Sequence, residues 1–353
     1  MRGEPGDSGK QPASAFEAHF DRLVAVVHQR MEIEWRAHRR RDLEKLEPDL
    51  LELLREFGAL LRVVYRHSLT GVLREEAGWY AATLASRGPG QDAFALLLDS
   101  WIVAIQGLIP PPQCNALAAP LQTLRDDLPV VFAAASQGEP PAPPEVGRLA
   151  DRLAAGDRDG VLRFLDGQRA AGLPAYESIV RFLLPAMAEI GRRWERNELA
   201  VYQEHLATET TIRLLAGLAA WEAPVASVGR KALTSCVPND HMQIIAMALS
   251  VYLELRGWSV ASLGQGLPAA EIALAVEDIR PDAVFLSLAM VSRLSEALDV
   301  IDLLGRGAAR PKVFIGGRGG AAGRALLSDA GARVVQSFEE AFRLATGAED
   351  SDA

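Results

Sequence analysis

The stretch Lys231–Gly264, KALTSCVPNDHMQIIAMALSVYLELRGWSVASLG, decides the fold of the C-terminal part of the chain. It opens on a short β-favouring run (Lys231–Val237) and crosses a polar loop. An apolar helical pattern (His241–Arg256) follows, and then a second β run (Trp258–Gly264). The rhythm then repeats. Ala269–Ile279 reads as helix, Asp282–Leu288 as strand, Arg293–Gly305 as helix and Pro311–Gly316 as strand. Gly320–Ala330 is a helical pattern, and a fifth strand, Ala332–Gln336, precedes a helix over Glu339–Thr346. Parallel neighbours need a crossover between them, so strict alternation of strand and helix implies a parallel sheet with helices on both faces. Ligands of such sheets sit beyond the carboxyl ends of the strands. The loops Pro238–Met242, Gly264–Pro268, Ser287–Ser292 and Gly316–Gly320 are therefore the candidate binding loops.

Upstream, Glu145–Ala155, Asp157–Ala171, Tyr176–Asn197 and a last helix from near Val201 to Trp221 have short connections, as in a four-helix bundle. Asp157 is placed to cap the second helix, and Gly172-Leu-Pro174 ends it. The run Gln137–Glu145, QGEPPAPPE, carries four prolines and reads as an extended linker. Before it, apolar residues recur at helical spacing, as in Leu50, Leu51, Leu53, Leu54, Phe57, Leu60, Leu61 and Val64. The expected organisation is a disordered lead-in over 1–14, an N-terminal helical domain over 15–136 and the linker over 137–145. A helix-bundle cap over 146–225, an α/β domain over 226–347 and a disordered tail over 348–353 complete it.

With 353 residues, 49% hydrophobic and 24% charged, the chain can bury more than one core. Its net charge of −9 argues against a surface built for phosphates, so no direct nucleic-acid partner is expected. Cys114 and Cys236 are far apart and form no CxxC, which excludes a disulfide framework and suits the cytoplasm. No apolar run of about 18 residues is present to cross a membrane.

The segment Gly191-Arg-Arg-Trp194-Glu-Arg-Asn-Glu-Leu-Ala-Val201-Tyr-Gln-Glu204-His205 places Glu-His nine residues after a Trp. It resembles the Wx9EH signature of cobalamin-dependent photoreceptors of the CarH family. Ala155-Gly-Asp157, Gly172-Leu-Pro174 and Leu184-Pro185-Ala186 also fall where that family's bundle has them. The α/β segment resembles the cobalamin-binding domain shared by methionine synthase, corrinoid carriers and those photoreceptors. Leu255-Arg-Gly257-Trp-Ser-Val260 and Leu263-Gly264 match its second-strand entry, Ser287 its SxL position, and Gly316-Gly317 its GG position. The resemblance implies a flavodoxin-like doubly wound sheet of the B12-binding fold. It also implies a cobalamin (adenosylcobalamin or another corrinoid) held between cap and sheet. Gly316 and Gly317 would let the backbone approach the ligand, and Ser287 would offer a hydroxyl to its tail. Trp194, Val201, Glu204 and His205 would face the other side of the ring, with His205 a candidate metal ligand.

One loop departs from the pattern. The family's DxHxxG motif supplies a histidine below the cobalt, whereas here the loop reads Asn239-Asp240-His241-Met242-Gln243-Ile244-Ile245. Counted back from Gly257, Asp240 holds the acidic position, Met242 the histidine position and Ile245 the glycine position. A shift of one residue within a helix turns a side chain by about 100°. Either the loop is remodelled and His241 binds the metal, or the lower ligand is absent. In the second case cobalamin binds without it, or another tetrapyrrole, biliverdin or haem, takes the slot.

Other features have plainer readings. His19, His28, His38 and His67 lie on helices without ligand pairing, and the basic run near Arg39 reads as a solvated face. Gly317-Arg-Gly-Gly320 lacks the Lys-Ser/Thr of a phosphate loop. Either cysteine offers a thiol for attaching a bilin. No nucleophile–base pair suggests an enzyme. The expected function is a tetrapyrrole-binding sensor acting on a regulatory partner protein or through its own oligomerisation. A corrinoid carrier for methyl transfer is the alternative.

Overall fold

The computed structural model describes residues 10–38, 50–87, 90–135, 140–221 and 225–347. The chain divides into two compact units. One comprises Met1–Pro140 with the short stretch Glu195–Glu198; the other comprises Pro141–Trp194 and Leu199–Ala353.

The described part of the first unit is helical. It contains α1 (Lys10–His38), α2 (Leu50–His67), α3 (Thr70–Arg87), α4 (Gly90–Leu108) and α5 (Gln113–Ala135). Helix α1 already covers residues 10–14 of the expected disordered lead-in, because Pro12 falls in its first turn, where a missing N–H costs no helical bond. Residues 1–9 lie outside the described ones. The core is aromatic: Phe16, Phe57, Phe94 and Trp101 are fully buried, and Phe57 meets Tyr80 edge to face at 5.2 Å.

The second unit begins with α6 (Pro144–Ala154), whose first two residues come from the expected linker; residues 137–139 of that linker lie outside the described ones. Helix α7 (Arg158–Ala170) is capped by Asp157, which accepts from the Gly160 N–H at 2.9 Å. The next segment was expected to be one helix. It is instead α8 (Ala175–Ser178), a π-helical turn (Ile179–Leu183) and α9 (Leu184–Glu195). The widened turn precedes Pro185, which has no N–H to give the carbonyl four residues back. Helix α10 (Val201–Trp221) completes the cap.

There follow β1 (Lys231–Cys236), α11 (Ile244–Glu254), β2 (Ser259–Gly264), α12 (Ala269–Ile279), β3 (Ala283–Ser287) and α13 (Leu294–Arg306). The chain continues with β4 (Lys312–Gly316), α14 (Arg318–Ala322), α15 (Arg324–Asp329), β5 (Arg333–Val334) and α16 (Phe338–Thr346). The five strands form one parallel sheet in the order β2-β1-β3-β4-β5, the doubly wound flavodoxin-like arrangement. Helix α16 is capped by Ser337, which accepts from the Glu340 N–H, while Glu340 reaches back to the Gln336 N–H. Helix α11 begins at Ile244, not at His241 as expected, so the loop after β1 is longer than its apolar pattern implied.

Helix α11 is apolar on all sides, as a helix buried on two faces must be. Ala248 and Val251 join the core of the cap, while Leu249, Tyr252 and Leu253 join the core under the sheet. Polar contacts add to this seam. Arg256 donates to the Tyr252 hydroxyl at 2.6 Å and to Glu339 at 2.5 Å, and its guanidinium lies over the rings of Phe342 and Tyr176.

Within the cap, buried Glu189 binds Arg192 and Arg193 at 2.7 Å each, and Arg193 reaches Asp151 on α6 at 2.6 Å. Burial works to raise the Glu189 carboxyl pKa, but bonds from Arg193 and Arg192 and their charges outweigh it and hold the group below its ordinary 4.5. A carboxyl depressed in the folded state contributes stability above its unfolded pKa and loses it as pH falls through the folded value. Glu189→Gln should therefore cost about 1–3 kcal/mol at neutral pH. It should also flatten the acid limb of stability against pH, as read by urea unfolding across a pH series.

Candidate cofactor site

A cavity of about 290 Å³ lies beyond the carboxyl ends of β3 and β4. Its walls include Phe285 and Ser287 of β3, Phe314 and Gly316 of β4, Gly317, and Phe338 of α16. Helix α11 contributes Ile245, Ala246 and Leu249, and the cap contributes Val180 and Leu184. The cavity is thus apolar, bounded by both halves of the unit, and beside the β1/β3 position where the strand order reverses. The Ser287 hydroxyl is buried against it with no hydrogen-bond partner. An unpaired buried hydroxyl costs about 1–3 kcal/mol, which a ligand atom accepting from or donating to it would relieve.

The two glycines differ in kind. Gly317 has φ +104°, and a Cβ there would stand 2.3 Å from the Leu288 carbonyl oxygen, so the backbone itself demands glycine. At Gly316 a Cβ would make only ordinary contact, 3.7 Å from the Val335 carbonyl oxygen. Its missing side chain serves the width of the cavity.

The loop after β1 is held by Asp240, which is 1% exposed. One carboxylate oxygen accepts from the Met242 N–H at 3.0 Å; the other accepts from Ala289 at 2.7 Å and Met290 at 3.4 Å. Arg293 adds a bond to the Asn239 carbonyl at 2.9 Å, and Asn239 takes a left-handed φ of +61° that asparagine tolerates. His241 and Met242 are both exposed, Met242 at 59%. Neither lines the cavity, whereas Ile245 does.

The candidates on the cap form a separate group. Trp194 ends α9, half-buried and engaged by neighbours. Val201, Glu204 and His205 lie in the first turns of α10. His205 Nδ1 is 2.8 Å from Glu204 Oε2 and 3.1 Å from the Val201 carbonyl, and Thr208 donates to the other Glu204 oxygen at 2.9 Å. A proton on Nδ1 would satisfy both acceptors and leave Nε2 for a ligand, the arrangement in which a carboxylate orients a metal-binding imidazole. Exposed Val201, Tyr202 and Leu206 surround it with apolar surface. Leu263 and Gly264 stand at the end of β2, outside the cavity wall; the Gly264 carbonyl accepts from Ser235 at 3.4 Å.

Among the described residues no three His, Cys, Asp or Glu side chains gather to hold a metal. Both cysteines are buried. Burial, with the Asp240 charge added, pushes the Cys236 thiol up to about 12, which removes the thiolate that bilin attachment needs. The sequence did not reveal Val180, Leu184, Ala246 or Phe338 as wall residues. Their only signal was apolar periodicity, which a cavity wall and a filled core share.

Two family models, both described as B12 binding domain, match residues 146–218 and 230–345. The HTH-type transcriptional repressor CarA of Myxococcus xanthus is 33% identical over 208 residues, 57% of this chain and 69% of the relative. The repressor CarH of the same organism is 31% identical over 177 residues, 50% of this chain and 58% of the relative. The solved monomethylamine corrinoid protein of Methanosarcina barkeri is 18% identical with a TM-score of 0.47, covering 57% of this chain and 97% of that one. That likeness is too distant to carry an argument.

Cobalamin is the cofactor that the two matched domains take. The slot fits a corrinoid's tail: it is apolar, it leaves a hydroxyl unpaired, and glycines widen it. The loop carries exposed Met242 where the family's pattern has its histidine, with His241 one residue before it. The relatives also correct one expectation. HTH-type repressors bind DNA, so the absence of a direct nucleic-acid partner does not stand. Net charge sums over the whole chain, whereas a nucleic-acid contact needs only a local surface.

Two outcomes are expected. Asp240→Ala leaves main-chain donors unpaired and should destabilise the second unit by about 1–3 kcal/mol in urea titration. Cys236 should resist maleimide in the native protein and react once the chain is unfolded.

Proposed function

We propose, from the premise that this chain belongs to the CarH-type family of B12-binding proteins, that it is a cobalamin-dependent sensor regulating transcription. The observation that carries this reading is the slot, whose walls come from the cap (Val180, Leu184) and from the sheet edge (Ser287, Gly316). An occupant touching both halves favours one packing of cap on sheet over another, and differential contact is the only way a ligand shifts such an equilibrium. When bound, an alkylcobalamin supplies a cobalt–carbon bond that light can break, which is the chemistry a photoreceptor needs.

The chain's own residues then have separable tasks. Ser287 donates to or accepts from the tail, Gly316 and Gly317 give clearance, and Glu204 orients His205 so that Nε2 faces a ligand. Trp194, Val201 and the apolar start of α10 cover the ring. The altered packing would be read by a regulatory protein, by a second copy of the chain, or by operator DNA. The working units are the expected domains over 15–136, 146–225 and 226–347. No helix among the described residues is long and apolar enough to cross a membrane, and the cytoplasm is the proposed compartment. A biliverdin- or haem-binding sensor on the same fold is the second reading, favoured by the missing histidine at position 242.

Protein reconstituted with adenosylcobalamin, biliverdin or haem should retain the corrinoid and show its absorption bands. Illumination should change both those bands and the elution volume in size-exclusion chromatography. Retention of biliverdin or haem alone would replace the ligand assignment. Ala246→Phe, which fills the slot, should weaken cobalamin binding by roughly tenfold or more. Equal affinity in that variant would remove the slot from the site.

A further inference from the structure

We propose that this chain, if it binds cobalamin as set out above and seats the tail base in the slot as the B12-binding fold does, puts no imidazole from the β1 loop on the cobalt. Three observations carry this. First, Asp240 fixes the register of the loop. Its buried carboxylate binds the N–H groups of Met242, Ala289 and Met290, and Arg293 secures the Asn239 carbonyl. Sliding the loop by one residue to bring His241 into the place of Met242 would break these bonds. Remodelling, one of the two readings open from sequence, is thereby disfavoured.

Second, the side chain at the second position after the acid is a thioether. Met242 is 59% exposed, so its thioether is open to solvent. His241 is exposed and contributes nothing to the cavity wall. Third, the slot is present despite Ile245 standing in its wall. Its aromatic sides, Phe285 and Phe314, suit a flat apolar heterocycle. The partnerless Ser287 hydroxyl suits the ring nitrogen that such a base exposes once it leaves the metal. A base inside the slot cannot also bind cobalt from below. The face of the macrocycle toward the loop is then left to Met242 or to water.

The test is electron paramagnetic resonance of bound cob(II)alamin in the full chain. An axial nitrogen imprints a superhyperfine splitting on the cobalt signal; sulfur or oxygen does not. Wild type, His241→Ala and His205→Ala are compared. A wild-type signal without nitrogen splitting, or a splitting lost only in His205→Ala, supports the proposal. A splitting lost in His241→Ala makes that residue the lower ligand and overturns it. A splitting that survives both substitutions means that the cofactor's own base is on the metal, which also overturns it.

Met242→His, placed in the His205→Ala chain, should create the splitting, and its failure to do so would overturn the assignment of position 242 to the cobalt face. Cobinamide, which lacks the tail base, should bind at least roughly tenfold more weakly than cobalamin; equal binding would refute the tail-in-slot arrangement. A chain that retains no corrinoid signal at all would instead sink the proposed function, so the two failures read differently.

Discussion

The second unit depends on the burial of helix α11 from two sides. Eleven residues, Ile244–Glu254, put Ala248 and Val251 into the core of the cap and Leu249, Tyr252 and Leu253 into the core of the sheet. Neither face is available to water, so the helix has no amphipathic alternative and both layers close over it. Its N-terminal residues Ile245 and Ala246 continue into the wall of the slot, and the loop anchored by Asp240 leads directly into it. One element therefore carries the cap–sheet seam, a side of the cavity and the junction with the loop that Asp240 anchors.

The polar contacts reinforce this seam where apolar packing ends. Arg256 and Tyr252 meet Glu339 of α16, while Arg256 lies over Tyr176 from the cap. Phe338, next to Glu339, lines the slot and packs edge to face on Tyr252 at 5.5 Å. A ring in the cavity wall is thus in direct contact with the group that joins the cap to the sheet. This is the kind of contiguous contact through which occupancy can bias two packings.

Much of the fold was legible because it rests on periodicity. The alternation after Gly229 specified the parallel sheet, and the Asp157 cap marked the start of α7. The misread points were local. The π turn before Pro185, the late start of α11 and the helix over residues 10–14 are local backbone features, to which hydrophobic patterning is blind. Of the site, Ser287, Gly316 and Gly317 could be placed from their position at strand ends, and the structure brings them to one cavity. That the hydroxyl has no partner, and that Val180 and Leu184 reach the same space, required coordinates. Reading nucleic-acid contact from net charge failed for a related reason: a total carries no information about where charges lie.

Asp240 secures its loop through main-chain donors alone, including the amide of Met242 but not its thioether. The conformation of the turn is consequently indifferent to which side chain follows two positions later. If position 242 faces a bound cobalt, such a loop can exchange one metal ligand for another, or surrender it, in a single mutational step that leaves its fold in place. A lineage built on this scaffold can diversify its cofactor chemistry by drift at one exposed position, while selection on folding acts on the buried carboxylate.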